Sequence, residues 1–207
     1  MPLDRTIVID SALKLLDEVG LEGLTLRRLA AVLDVQAPAI YWHFKNKQEL
    51  LDEMATTALM RGLNEMSWST RTRWEKWGLA YGRNLRRIFL TYRDGARMIS
   101  GTRLTDTSLY KPMEGALGRL AEMGYSNYQA VVALSTIYSY VVGFVIEEQA
   151  AAGDAFFELE ARNARIDPAQ PLAREAGKYI FTQYDRRFMD GLRIIIAGLA
   201  ATRKQPK

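Results

Sequence analysis

Cysteine is absent from the 207-residue chain. That excludes disulfide staples, thiolate metal sites and cysteine nucleophiles, and it agrees with a reducing, cytoplasmic setting. Histidine is nearly absent as well, His43 being the single one. Catalysis would therefore have to rely on carboxylates, lysine or serine, and no nucleophile elbow, glycine-rich phosphate loop or metal-ligand spacing accompanies them. The opening Met1-Pro2-Leu3-Asp4-Arg5 has neither the basic n-region nor the apolar core of a signal peptide. The longest apolar run, residues 130–146, is interrupted by Ser135, Thr136, Ser139 and Gly143. It reads as a buried helix and not as a membrane span, so no membrane partner is expected.

A one-sided charge is missing too. The net charge of +4 and a pI near 9.3 permit an anionic partner without establishing one. Over residues 1–48 the bases Arg5, Lys14, Arg27, Arg28, Lys45 and Lys47 are balanced by Asp4, Asp10, Asp17, Glu18, Glu22 and Asp34. Placement is what counts. Arg27–Arg28 and Lys45–Lys47 flank one short segment, and no acid lies between Val35 and Lys47.

The periodicity that is present is helical. Ile9, Ala12, Leu13, Leu16 and Val19 fall on one helix face, with Gly20 as the stop. Leu26, Leu29, Ala30 and Leu33 repeat the pattern behind Thr25, a good N-cap. After a turn at Asp34, a third short helix runs from about Gln36 to His43, with Pro38 tolerated in its first turn. Asn46 and Glu49 form a capping-box pattern for a fourth helix ending near Gly62. Further helices are predicted at about 73–92, 95–101, 108–123, 127–151, 172–184 and 186–201. A polar connection from Gly153 to Pro171 is predicted as a loop. The fold class is all-α: a three-helix helix-turn-helix DNA-binding domain (1–47), a connecting helix (48–66), a larger helical ligand-binding and dimerisation domain (67–202) and a basic tail (203–207).

Two short helices across a tight turn, the second thin and flanked by bases, describe a helix-turn-helix. Its second helix must enter a major groove about 12 Å wide while the first crosses the backbone. Ala37 and Ala39, with Pro38, keep the leading edge thin. Tyr41 and His43 can reach phosphates or base edges, and Lys47 sits beside a helix N-terminus, a natural phosphate seat. Arg27, with Thr25 and Lys45, completes the expected DNA-contact set. Trp42 and Phe44 are read as core.

The run Gly23-Leu24-Thr25-Leu26-Arg27-Arg28-Leu29-Ala30, followed by residues 35–47 ending in Tyr41-Trp42-His43-Phe44-Lys45-Asn46-Lys47, resembles the DNA-binding domain of the TetR family. The residues from Leu90 to Arg97, then Gly101-Thr102-Arg103 and the stretch 126–149, extend the resemblance toward its tetracycline-repressor branch. It implies operator DNA, a small-molecule effector and a homodimer. It also implies a magnesium–drug site held by histidines and an asparagine. This chain has Leu63, Ile99 and Ser139 where those histidines are expected, and Tyr81 for the asparagine. Arg103 and Glu147 remain, and Ala116 replaces a glutamine.

No metal and no cofactor are therefore expected, and the implied effector is hydrophobic and aromatic. Its expected contacts are Tyr81, Leu85, Phe89, Ile99, Arg103, Met113, Leu117, Leu134, Tyr138, Ser139 and Glu147. Core packing is the alternative for the apolar members, and a mutual ion pair for Arg103 and Glu147. Arg83, Arg86, Arg87, Arg93 and Arg97 read as a solvated helix face. The stripe Phe188, Leu192, Ile195, Ile196 and Leu199, with the helix at 127–151, is the expected dimer face, with the monomer's own core as the alternative. The functional expectation is a ligand-responsive repressor that binds a palindromic operator. An activator of the same family, a helical enzyme and an interaction bundle are the alternatives.

Overall fold

The computed structural model describes residues 3–65, 73–152 and 159–201, and all regular structure among them is helical. The chain forms two compact units: residues 1–70 with 84–119, and residues 71–83 with 120–207.

The first unit opens with α1 (Arg5–Gly23), capped by the Asp4 side chain on the Ile7 N–H. Its regular course breaks at Gly20, whose φ of 69° is open to glycine at little cost. Thr25 caps α2 (Leu26–Val32) by accepting the Arg28 N–H, as its sequence position predicts. Asp34, at φ 52°, turns the chain into α3 (Ala37–His43). Asn46 then caps α4 (Lys47–Asn64) through the Glu49 N–H. The capping box is altered, because the Glu49 carboxylate takes the N–H of Lys45. The unit also holds the later part of α5 (Trp74–Leu90), all of α6 (Gly95–Ser100), a 3-10 turn (Thr107–Leu109) and most of α7 (Tyr110–Glu122). Val8, Ala12, Leu16, Leu29, Ile40, Phe44, Leu50 and Met54 fill the core between α1, α2, α3 and α4.

The second unit is built on α8 (Asn127–Ala151), which starts in a complete capping box of Ser126 and Gln129. It is long and apolar enough, by length and composition, to cross a membrane. Here its buried face, Ala130, Ala133, Ile137, Val141 and Val145, lies in the protein core, and it packs on α11 (Tyr184–Ala201). Phe188, Leu192 and Ile196 of α11 are almost fully buried within this one chain. These three residues of the stripe expected at the dimer face thus belong to the monomer's own core, while Ile195 and Leu199 are half-buried. Ile194, 74% exposed, points elsewhere, as do Tyr128, Val131 and Val132 of α8. The first half of α5 lies against α11: Trp74 donates to the Ile196 carbonyl at 3.2 Å.

Within the connection predicted as a loop, residues 159–164 form α9 (Leu159–Ala164). Leu, Glu, Ala and Arg are good helix formers, and the Arg162 guanidinium ties the helix to the Ala173 carbonyl of α10 (Pro171–Thr182) at 3.0 Å. The last residue of the connecting segment and the basic tail lie outside the described residues.

Gly62 of α4 offers a direct check of the first unit. A Cβ built there would sit 2.3 Å from Cγ1 and 3.2 Å from Cβ of Ile88. The obstructing atoms belong to a stiff, β-branched side chain near its backbone. Gly62→Ala should destabilise the protein by about 1–3 kcal/mol in urea unfolding, despite the better helix propensity of alanine.

Candidate nucleic-acid interface and effector site

α3 shows two faces. Ile40 and Phe44, four residues apart, are fully buried, which turns Tyr41 and Trp42 outward. Trp42 is 89% exposed, so its placement in the core is corrected; Phe44 stays core. Trp42 is the residue that reading by hydrophobicity missed. The spacing signal was there, since Trp42 lies two residues from each core position and so roughly opposite them. Pro38, Tyr41 and Thr25 are exposed, whereas Ala37, Ala39 and His43 are half-buried.

The flanking bases divide into bound and unbound. Arg28 donates to the Gly23 carbonyl at 3.0 Å, and Lys47 to the Leu21 carbonyl at 2.7 Å. A lysine ammonium has three donors, so Lys47 keeps two for another acceptor. Arg27 and Lys45 are exposed and have no ion-pair partner among the described residues. The Lys45 N–H, with Arg5 adding to it, holds the Glu49 carboxyl below the ordinary carboxylate range.

Behind this surface, the same unit ties α6 to α1 and α4. The Asp94 carboxylate accepts the Leu21 N–H at 2.8 Å. Arg93 donates its N–H to Asp17 and its guanidinium to the Glu18 carbonyl, at 2.8 and 3.0 Å. Arg97 pairs with Glu22 at 2.8 Å, and Arg87 with Glu65 at 2.6 Å. These three arginines are not a freely solvated face: their partners lie far away in sequence. On α4, Asp52 accepts the Arg103 N–H at 3.0 Å. Thr56, the one buried polar residue described, accepts from the Thr105 N–H at the same distance.

Of the expected effector contacts, Leu85, Phe89, Ile99, Arg103, Met113 and Leu117 belong to the first unit. Leu85, Phe89 and Ile99 are buried there, while Met113 is half exposed. Tyr81, Leu134, Tyr138, Ser139 and Glu147 belong to the second, where Ser139 and Glu147 are exposed along α8. Tyr81 stacks on Trp77 at 5.3 Å, and Trp77 on Trp74 at 6.0 Å. A separate cleft of about 590 Å³, lined by Trp74, Met123 and Tyr125 among others, contains none of the expected contacts.

The two stretches match two family descriptions. Residues 8–54, which hold the helix-turn-helix, match "Bacterial regulatory proteins, tetR family", and residues 63–203 match "Tetracyclin repressor-like, C-terminal domain". The chain belongs to the TetR family. It is 39% identical over 204 residues to the class A tetracycline repressor protein from transposon 1721 of Escherichia coli, covering 97% of this chain and 92% of that one. A possible TetR-family regulator from Streptomyces coelicolor A3(2) superposes with a TM-score of 0.85 at 34% identity, over 97% of this chain and 100% of the other. The S. coelicolor protein ActR, solved in complex with actinorhodin, gives 0.81 at 28% identity, over 99% and 100%.

In this TetR-family chain Tyr81 stands where the resemblance implies a metal-organising asparagine. Burial, with Tyr138 adding to it, pushes the Tyr81 phenol up to about 12. Burial also raises Tyr138. The unfolded chain ionises near 10.0, so the tyrosines' contribution to stability is complete below that pH and is lost as pH rises toward 12. Unfolding free energy should fall by roughly 2 kcal/mol across this window through Tyr81. Tyr81→Phe should flatten most of that fall, as followed by chemical denaturation at a series of pH values.

Proposed function

We propose that the chain is a homodimeric transcriptional repressor that reads a palindromic operator with α3 and releases it when a hydrophobic, aromatic effector binds. The carrying observation is the outward face of α3. Tyr41 and Trp42 project beside thin Ala37 and Ala39, and the free cations Arg27 and Lys45 stand at its flanks. Phosphate contacts position such a helix, and the thin edge with its aromatic rings reads bases. The DNA-contact set is thus Thr25, Arg27, Ala37, Pro38, Ala39, Tyr41, Trp42, His43 and Lys47. Residues 1–47 carry it, residues 48–66 connect, and residues 67–202 serve effector and partner. A soluble, cytoplasmic regulator is the setting this implies.

The partner is a second copy. Exposed Val132, Ser135, Ser139 and Gly143 lie along one side of α8, and Ile194 with Gly198 along α11. Small and apolar residues on two long helices allow the close approach that a four-helix dimer interface needs. Two-fold symmetry then sets the recognition helices about 34–36 Å apart, one turn of DNA.

For the effector, the absence of histidine at Leu63, Ile99 and Ser139 removes the imidazole ligands of a magnesium–drug site. Tyr81 and Tyr138 supply phenolic donors instead. Within the first unit, an effector that touches Ile99 or Arg103 acts on a segment fastened to α1 through Asp94 and Arg97, and to α4 through Asp52 and Thr56. Any shift of α6 must therefore strain the elements that hold α3. Coupling free energies of this kind are about 1–3 kcal/mol, or about 5- to 150-fold in operator affinity.

The deciding experiment selects an operator from random duplexes and measures its retention in a gel-shift assay. A metal-free aromatic compound should release the protein. Release by magnesium–tetracycline at nanomolar levels would overturn the effector assignment, and a chain that selects no duplex would overturn the repressor itself. Lys47→Ala should weaken binding to every sequence and lower the slope of log affinity against log salt by about one unit. It should also cost folding stability, because the Leu21 carbonyl loses its donor. Light scattering should report a dimer at micromolar concentration.

A further inference from the structure

Nothing in the sequence marks Arg5 as more than the first residue of α1, yet its guanidinium reaches the far end of α3. It lies over the Phe44 ring, 4.4 Å from the centroid. Nη1 donates to the His43 carbonyl at 2.7 Å, and Nη2 meets Glu53 at 2.8 Å and Glu49 at 3.5 Å. Glu49 in turn holds the Lys45 N–H at 2.9 Å. His43 is the last residue of α3, where helix carbonyls are left without internal partners. One planar fork from α1 thereby caps α3, stacks on the residue after it and pairs with two carboxylates of α4.

Beyond its packing on α2, α3 has little else to fix it. It is seven residues long, Ile40 is its one fully buried residue, and Gln36 provides no side-chain cap at its start. A helix this short holds its place through tertiary contacts. A lone surface ion pair would contribute little. Arg5 differs because its carbonyl, ring and carboxylate partners converge on one planar guanidinium, which a lysine ammonium cannot reproduce.

We propose that Arg5 is the positioning residue of the recognition helix, setting the rotation and height of α3 so that Tyr41 and Trp42 meet the bases, without itself touching DNA. The proposal rests on the operator-binding reading above. A removed phosphate contact weakens specific and non-specific binding alike and lowers the salt slope. A displaced recognition helix instead loses the specific part.

The test uses the full chain, its selected operator and an unrelated duplex, with fluorescence anisotropy over a salt series. Arg5→Ala and Arg5→Lys should both weaken operator binding by about tenfold while changing binding to the unrelated duplex by less than about twofold, with the salt slope unchanged. Glu53→Gln, which leaves Arg5 in place, should show a smaller loss of the same kind, and thermal unfolding shows that each variant is folded. Wild-type affinity in Arg5→Lys, or a slope lowered by about one unit with equal losses on both duplexes, would identify a phosphate contact and overturn the proposal. Unchanged operator affinity in Arg5→Ala or Glu53→Gln would overturn it too. Failure of the wild-type chain to select any operator would sink the operator reading first, and this proposal with it.

Discussion

The helix break at Gly20 is the constraint from which the first unit is organised. Where α1 kinks there, the N–H and C=O of Leu21 take partners outside the helix. Asp94 takes the N–H and Lys47 takes the carbonyl, at 2.8 and 2.7 Å. The two backbone groups of a single residue are thereby taken up by Asp94, just before α6, and by the start of α4. The arrangement has a conformational cost, since Asp94 itself sits at φ 56°. Left-handed backbone at a residue other than glycine persists where surrounding contacts over-determine it. Here those contacts are Leu21 and Arg97 on one side and the following helix on the other. Gly20 cannot be replaced cheaply either, for its positive φ is the origin of the whole arrangement.

Local chemistry made much of this legible. Thr25 and Asn46 are caps whose effect is confined to a few residues, so the starts of α2 and α4 follow from sequence, whereas Gly20, expected to end α1, kinks it and the helix runs on to Gly23. The core face of α3 was half legible: Phe44 was placed correctly and Trp42 was not, because apolar character was weighed above the angle between neighbours on a helix. The α11 stripe was visible as a stripe, but amphipathicity states only that a face is covered. Phe188 and Leu192 are covered by α8 and α5 of the same chain, and no periodicity distinguishes that from a partner. α9 escaped notice because the prolines and polar residues around it read as loop, and its tie to α10 is tertiary.

Long-range polar pairing was the least legible. Arg87, Arg93 and Arg97 look like a basic run, and in sequence they have few acids nearby. Their partners are Glu65, Asp17, Glu18 and Glu22, which only the fold brings within reach. The near-zero charge of residues 1–48 acquires a meaning in this light. Two of those acids, Asp17 and Glu22, serve the internal ties to Arg93 and Arg97, and so they do not oppose DNA as free carboxylates would.

That partition also explains how a chain with modest net charge can present a DNA-binding face. Affinity for a polyanion depends on cations able to displace counterions, not on the sum over the chain. Arg93 and Arg97 are occupied with carbonyls and carboxylates of their own protein, and exposed Arg28 gives one of its five donors to the Gly23 carbonyl. Arg27 and Lys45 stand exposed beside α3 without ion-pair partners among the described residues, and Lys47 keeps donors to spare. A small number of free cations gives limited non-specific attraction. In the proposed reading, recognition then leans on the fit of Tyr41, Trp42 and the thin alanine edge to the groove. A reader of that kind depends on the exact seating of a seven-residue helix, and α1 and α4, which hold Arg5 and its two carboxylates, are also the elements tied to Asp94, Arg97, Arg103 and Thr105. Under the proposed operator reading, whatever loosens that seat weakens the specific contact before the general one.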